Sequence, residues 1–590
     1  MSFASLRSSR QSKEAKSFVK RSTDSVSSPI TTDRNSSNVV DDKLPSANSA
    51  YLVHYDGLHK ALPPTLEIRT SSGSGRGLYA KKTLKAGFVL AAATPHVNVL
   101  STSYLDSYCS NCCGPAPQSG LKRCTKCRTV WYCSSKCQTN DWALHKHECS
   151  ALQRWASSAP SSDVSVPSDA IRCIARILWT QQKEGFDSAW TREINLMQSH
   201  RSSLPSSSFE SHTHIAHSLV RYLGVSSPLE LEPFGLKSAG DLVDLISRFT
   251  TNTFTLTTSS LTPIGVSVCP TIALTNHSCE PNAVIVFPWT SSSPTTQEPL
   301  MHLVAIKDIE PDEEIVTAYI DTTLPRDLRQ LQLKETYNFT CSCSLCTRQL
   351  KVDPRASVWC PKSCGRTCPA PTEENSHTRC VECNAVLSST DAVLDALRVG
   401  KEALDKATAL QYKDPAKAKQ LTTNMIPILT SARLTPSCHP LLAMTRLHQE
   451  LLIASLPTSL TQEVLDDTIR TAGKYSAGLS ALLPGGHPVR GVALAELGKL
   501  LAVDEPAPRT DAPAQQNTFP PSGPARLKLA YETLVRAHDE LVVGFGADNG
   551  GGQVGREVRE AIVSLEKELG MWTQGIKNVL EDSQVKIPRS

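Results

Sequence analysis

The sequence predicts a multidomain α+β protein in which a β-rich core is split by two insertions and followed by a long helical region. Three observations carry this expectation. Short strand-like runs near residues 66–90 resume at Phe254-Thr255-Leu256, Ala283–Phe287 and His302–Ile306. Between them lie a cysteine-dense block at 109–149 and a helical, serine-punctuated stretch at 150–250. Beyond Ala385, apolar residues recur at helical spacing with little relief.

Composition bounds the function. A chain of 590 residues has room for several domains, each with its own core. The net charge of +4 is close to neutral, so nucleic acid is not the expected main partner. The sequence has no apolar run long enough to span a bilayer and no hydrophobic amino-terminal segment, so a soluble intracellular protein without membrane contact is expected. In a reducing compartment its 20 cysteines do not form a disulfide framework; clustered thiols point to metal.

In chain order, residues 1–48 are Ser-rich and poor in aromatics, and are expected to be a disordered arm. The β-rich text of 64–108 contains Leu66-Glu67-Ile68 and the glycine run around Gly75-Arg76-Gly77-Leu78, where strands and a close backbone approach are expected. The core resumes over 251–321, and a cysteine-bearing tail follows at 322–350. From 386 to 590 helices are expected over Val393–Leu397, Leu441–Leu456, Val464–Leu483, Val489–Leu501, Leu527–Val543 and Val554–Leu569. His439-Pro440 and His487-Pro488 each open a helix, where proline's missing amide costs nothing. Their spacing of 48 residues suggests helix pairs similar to tetratricopeptide repeats but longer. Residues 504–524, rich in Pro, Ala, Asp and Gln, are expected to be a flexible loop within this array.

Four cysteine groupings carry metal chemistry. Cys109-x-x-Cys112, Cys124-x-x-Cys127, Cys133-x-x-x-Cys137 and His145-x-x-x-Cys149 supply eight ligands, enough for two tetrahedral zinc shells, with Cys113 an alternative to Cys112. Cys341, Cys343 and Cys346 are one short of a shell, and Cys279 in Asn276-His277-Ser278-Cys279-Glu280-Pro281-Asn282 is the natural fourth ligand. A candidate zinc ribbon spans 351–385. Cys360, Cys364, Cys380 and Cys383 are the favoured ligands there, with a shell using Cys368 or His377, or no metal, as the alternatives. The remaining thiols, Cys113, Cys173, Cys269 and Cys438, are read as buried small hydrophobes.

The block around Trp131-Tyr132-Cys133-Ser134 and Asp141-Trp142-x-x-His145 resembles a MYND zinc finger, and the Asn276–Asn282 motif resembles the heart of a SET methyltransferase. A MYND finger set between Gly-Arg-Gly-Leu and Asn-His-Ser-Cys is similar to the SET-and-MYND family, over roughly 65–350 with the helical array as the family's tail. The resemblance implies interleaved zinc pairing, with Cys109, Cys112, Cys133 and Cys137 on one ion and Cys124, Cys127, His145 and Cys149 on the other. It also implies a SET fold and S-adenosylmethionine held by Gly75, Arg76, Gly77, Asn252, Asn276, His277, Tyr319 and Phe339. Tyr319 is then the catalytic tyrosine, and Tyr337 the second aromatic wall of a lysine channel.

The activity implied is protein-lysine N-methylation of a histone or non-histone protein, in which a neutral lysine amine displaces the sulfonium methyl in line and residues mainly position. The MYND finger implies Pro-rich peptide partners. The alternative is a MYND/SET chromatin or transcription adaptor that binds without methylating. A monomer in nucleus and cytoplasm is expected. Two positions depart from the family pattern: Asp312 stands where a glycine is usual, and Tyr79 where a basic residue is common.

Overall fold

The computed structural model describes residues 62–71, 75–201, 206–289, 299–348, 350–374, 377–458, 460–506 and 519–585. The expected arm at 1–48 and residues 507–518 of the expected loop lie outside them.

Three small sheets form the β core. Strands β1 (Leu66–Ser71) and β2 (Gly75–Ala80) form an antiparallel pair, extended by residues 314–317 and then, in parallel, by residues 276–277. A second sheet orders β3 (Val89–Ala93), with 301–305 at its centre and 283–286 on the far side. The third places 263–268 between β4 (Val97–Leu100) and 253–257.

The cysteine block follows β4, with β5 (Lys122–Arg123) and β6 (Trp131–Tyr132) paired around it. Helix α1 (Ser135–Ser157) starts on the Ser134 side-chain cap and crosses the expected 149/150 boundary without a break. Four more helices follow: α2 (Asp169–Glu184), α3 (Ala189–Leu196), α4 (Ser206–Leu223) and α5 (Ala239–Asn252), the last opened by a Ser238–Asp241 capping box. Helix α2 is buried all round from Ala170 to Gln181, and its Ile171, Ile174, Ile177 and Leu178 pack into one cluster with Val97, Val99, Val266 and Val268. The insertion thereby covers the third sheet.

The core resumes with β7 (Thr253–Thr257), β8 (Pro263–Val268), β9 (Asn276–His277), β10 (Ala283–Val286), β11 (Met301–Ala305) and β12 (Glu314–Thr317). Helices α6 (Arg326–Tyr337) and α7 (Ser344–Thr347) and the hairpin β13 (Ser357–Trp359)–β14 (Thr367–Pro369) lead into the helical region.

That region contains α8 (Thr390–Leu410), α9 (Pro415–Ser431), α10 (His439–Ser455), α11 (Gln462–Ser480), α12 (Pro488–Leu501), α13 (Pro524–Phe545) and α14 (Gly552–Val585), each packed on its neighbour in sequence. Helix α9 is absent from the sequence-based expectation. It carries Pro427 and buries a stripe of Ala418, Thr422, Met425 and Leu429, of which the first two give almost no hydropathy signal. No described helix is long and apolar enough to cross a membrane.

The array closes back on the β core. Val284, Val286, Val304 and Ile306 share a cluster with Leu494, Leu534, Leu541 and Phe545, so every residue of β11 is buried and the strand lacks polar alternation. The amide of Ala547 donates to Gly87 O, and Arg556 Nη2 donates to Trp289 O.

On α12, Glu496 accepts from Gln449 Nε2 at 2.9 Å. Burial, aided by nearby Glu450, pushes its carboxyl up to about 7. The folded chain therefore holds this proton more tightly than the unfolded one, and the stability that it contributes is lost as pH rises through about 7. Glu496→Gln should match the wild type at pH 5 and gain roughly 1–3 kcal/mol over it at pH 8 in urea unfolding; equal curves at pH 8 would count against this reading.

Candidate active site and cysteine centres

The site is built where β12 runs parallel to β9. Val316 pairs with Asn276 and Thr317 with His277, while the Ser278 amide donates to Thr317 O. Asn282 pins this crossing: its Oδ1 accepts from the Val316 amide at 2.9 Å, and its Nδ2 donates to Glu314 O and Glu313 Oε1 at 2.8 and 3.0 Å. The strand that leads into the expected catalytic tyrosine is thus strapped to the Asn276–Asn282 turn. Asp312, at the entry to β12, has φ 66°, a left-handed backbone that glycine adopts freely and Asp tolerates.

Tyr319 sits at the centre. Its amide donates to His277 Nδ1 at 3.0 Å and its hydroxyl to Thr275 O at 2.6 Å. The Tyr337 ring lies 4.9 Å from the Tyr319 ring, and its hydroxyl donates to Tyr319 O at 3.3 Å. Asn338 ends α6 with φ 60°, and this turn sends Phe339 back to within 5.8 Å of the His277 ring. Burial raises both tyrosine hydroxyls, Tyr337 to about 12, and pushes the His277 imidazole down to about 4. Both phenols and the imidazole therefore stay neutral near pH 7.

Asn276 Nδ2 donates to Arg76 O at 3.0 Å and to Glu314 Oε1 at 2.7 Å. Gly77 makes this possible, because a Cβ there would collide with the Glu314 carboxylate. Gly75, Arg76, Asn252, Asn276, His277 and Phe339 all face one cavity of about 1030 Å³, which Tyr319 and Tyr337 also line. At Gly75, with φ 73°, a Cβ would meet nothing within 4 Å, which leaves its backbone open to that space. Asn252 lies farther out, its amide spent on Gln198 O and Arg248 O.

The cavity is roomy, mixed in polarity and flanked by aromatic rings, and so suits a nucleoside-bearing cofactor. Sequence reading missed Thr275, which fixes the tyrosine hydroxyl, and Glu314, which holds Asn276. The doublet Glu313-Glu314 beside an apolar strand was the available signal.

Cys279, Cys341, Cys343 and Cys346 lie with their sulfurs within 4.8 Å of one another, Cys346 and Cys279 at 3.5 Å. Cys109, Cys112, Cys133 and Cys137 form a second such group, and Cys124, Cys127, His145 and Cys149 a third. Thiolate and imidazole donors in fours fit zinc. Cys113 stands apart, buried, its sulfur accepting from Asn98 Nδ2 at 2.9 Å. Cys360, Cys364, Cys380 and Cys383 also converge, whereas Cys368 is buried in the neighbouring apolar cluster and neither it nor His377 joins them.

Beneath the third group lies a buried ionic network. Arg176 pairs with Asp141 at 2.9 Å and with Glu148; Arg172 reaches Glu148 at 2.9 Å and Leu100 O at 3.0 Å; Tyr132 donates to Asp141 at 2.8 Å. Burial alone would raise the Glu148 carboxyl, but the two arginines hold it well below the usual range. His145 Nε2 faces the thiols while its Nδ1 lies 3.5 Å from Glu148, the arrangement that orients an imidazole ligand. Asp141, His145 and Glu148 also converge, but the two carboxylates are already neutralised by the arginines.

Residues 107–149 match the MYND finger family model. The chain is 33% identical to the N-lysine methyltransferase SMYD2 of Gallus gallus over 298 residues, 49% of this chain and 61% of that protein. It is 31% identical to the N-lysine methyltransferase SMYD2 of Homo sapiens over 298 residues, 50% and 63% of the two chains. The chain thus spans about three fifths of the length of the curated relatives it matches. A crystal structure of the SET domain of LSMT bound to lysine and AdoHcy aligns at TM-score 0.30 and 12% identity, covering 89% of this chain and 93% of that one, too remote to carry argument.

Proposed function

We propose that this chain is a SET-and-MYND protein, in keeping with its MYND finger and its similarity to SMYD2 over half of its length, and that it is an S-adenosylmethionine-dependent protein-lysine N-methyltransferase. The observation that carries the proposal is the convergence of His277, Thr275 and Tyr337 on Tyr319 at the inner edge of the cavity. S-adenosylmethionine, when bound, supplies an electrophilic methyl group. Asn276, His277, Phe339 and the backbone of Gly75 and Arg76 would hold it, with Gly77 behind them against Glu314.

Tyr319 and Tyr337 form the walls of a narrow aromatic channel. Such walls exclude water and disfavour an ammonium, so a lysine entering between them gives up its proton to solvent and presents a neutral nitrogen. The Tyr319 hydroxyl, itself anchored on Thr275 O at 2.6 Å, orients that nitrogen through its oxygen lone pairs. His277 fixes the tyrosine backbone without competing for the proton, since burial keeps its imidazole neutral.

Two zinc ions in the MYND finger and one on Cys279, Cys341, Cys343 and Cys346 serve structure alone. The finger would dock Pro-rich peptide segments, and the helical region would act as a tetratricopeptide-like wall beside the site.

Tyr319→Phe should leave cofactor binding and melting temperature near wild type and slow methyl transfer about a hundredfold, because alignment of the amine is what the hydroxyl provides. The assay is transfer of a labelled methyl group from S-adenosylmethionine to lysines of a cell extract. Cofactor binding by the wild type without transfer to any protein would favour the adaptor reading instead.

A further inference from the structure

We infer that Cys360, Cys364, Cys380 and Cys383 hold a further structural zinc ion, and that this ion builds a clamp joining the start of the helical array to the chain just past Tyr319. The inference stands apart from the methyl-transfer reading, since it concerns what fixes the array.

The first support is sulfur geometry. The four sulfurs lie within 4.8 Å of one another, with Cys360 and Cys383 at 3.4 Å and Cys364 and Cys380 at 3.5 Å. A tetrahedral shell with zinc–sulfur bonds of about 2.3 Å places its sulfurs about 3.8 Å apart, whereas a disulfide needs about 2.0 Å.

The second support is backbone, and is independent of the sulfurs. In the MYND finger the Cys109 amide donates to Gly114 O, the Cys113 amide donates back to Cys109 O, and Cys113 has φ 55°. Around Cys124 the same return bond recurs, from the Arg128 amide at φ 55°, while the Cys124 amide reaches one residue farther, to Val130 O. Cys380 repeats it a third time: its amide donates to Ala385 O, the Asn384 amide donates to Cys380 O, and Asn384 has φ 55°. At Cys360 the return bond is one residue shorter, from the Ser363 amide at φ 53°, while the Cys360 amide reaches Arg366 O. A positive φ at a non-glycine residue is uncommon and costs energy. Its recurrence behind ligand cysteines of the finger marks a metal-binding knuckle, and 360–385 carries two of them.

The ribbon has little core of its own, yet it bridges two bodies. On one side β13 is laced to the turn between α9 and α10: the Trp359 amide donates to Arg433 O at 2.7 Å, Arg433 Nη1 to Cys360 O at 3.1 Å, and the Thr435 amide to Ser357 O at 3.2 Å. Val358, Leu387, Leu429, Leu434 and Met444 close one apolar cluster across this seam. On the other side Arg355, only 5% exposed, donates its Nε to Thr322 O at 2.7 Å, three residues beyond Tyr319.

Elemental analysis of the intact, purified chain should find four zinc ions, against three if only the MYND and Cys279 centres are filled. The double variant C364S/C383S removes the two exposed ligands and should bind three. Hydrogen exchange should then rise at least tenfold at 355–359 and 433–441 and stay unchanged at 109–149, whereas Cys368→Ser should keep four ions. Three zinc ions in the wild type, or alkylation mapping that finds these cysteines as two disulfides, overturns the metal. Loss of one ion with unchanged exchange at both segments overturns the clamp. The wild-type count needs no variant, so a C364S/C383S chain that fails to fold leaves that arm decisive.

Discussion

Replacing Cys279 with alanine should remove one zinc ion per chain, abolish cofactor binding and destabilise the fold by on the order of 5 kcal/mol, part of the about 10–16 kcal/mol that a complete structural shell supplies. Cys279 sits on the same turn as Asn276 and His277, and its thiol partners arrive with Cys341 and Cys346. His277 Nε2 lies 3.3 Å from Cys279 Sγ, and Phe339, two residues before Cys341, packs on the His277 ring. A metal on these thiols would therefore hold both flanks of the cavity. Zinc content and calorimetric binding of S-adenosylmethionine should fall together. A variant that keeps its affinity while losing the ion would show that packing of Leu333, Tyr337 and Phe339 suffices alone.

Glu148→Ala should cost about 3–5 kcal/mol, because it strands Arg172 and Arg176 in the interior with one carboxylate too few. Removing one member of a buried pair leaves the other charge uncompensated, which is far worse than removing both. A double change of Glu148 and Arg172 to apolar residues should accordingly recover part of the loss. Unfolding in urea measures both, and the zinc count of the single variant reports whether His145 still ligates once its Nδ1 partner is gone. A loss under about 1 kcal/mol would show that water reaches the arginines and that the MYND finger is not rigidly seated on α2.

These two sites mark what could be read from the sequence and what could not. The cysteine spacings named the ligands that the structure brings together, because metal geometry restricts spacing tightly and thiols are rare, while the interleaved sorting of the first eight into fours came from the MYND resemblance. That Tyr319, His277 and Phe339 line one cavity follows the expectation drawn from the resemblance, which rested on the unusual motif around each.

The Glu148–Arg176 network was not legible. Arg172-x-x-x-Arg176 lies in a helix with apolar neighbours on every side, and polar residues four apart usually signal a solvated face, yet both are buried here. Only pairing with carboxylates on α1, remote in sequence, makes that burial tolerable. Helix α9 escaped notice because alanine and threonine fill half of its inner stripe. The roles of Thr275 and Glu314 depend on a parallel crossing of two strands about forty residues apart, and no local pattern encodes which carbonyl a tyrosine hydroxyl will meet.

That crossing also dictates when the pocket can exist during synthesis. The turn at 276–282 emerges from the ribosome well before the strand that passes beside it, and the thiol that completes the shell with Cys279 lies 67 residues downstream. A nascent chain halted short of Cys346 holds an unfinished metal shell and a turn with no aromatic cover. Cofactor would engage only once that stretch has been added, so the proposed methyl-donor pocket would be among the last parts of the β core to mature, and no translation product ending before Cys346 would carry it.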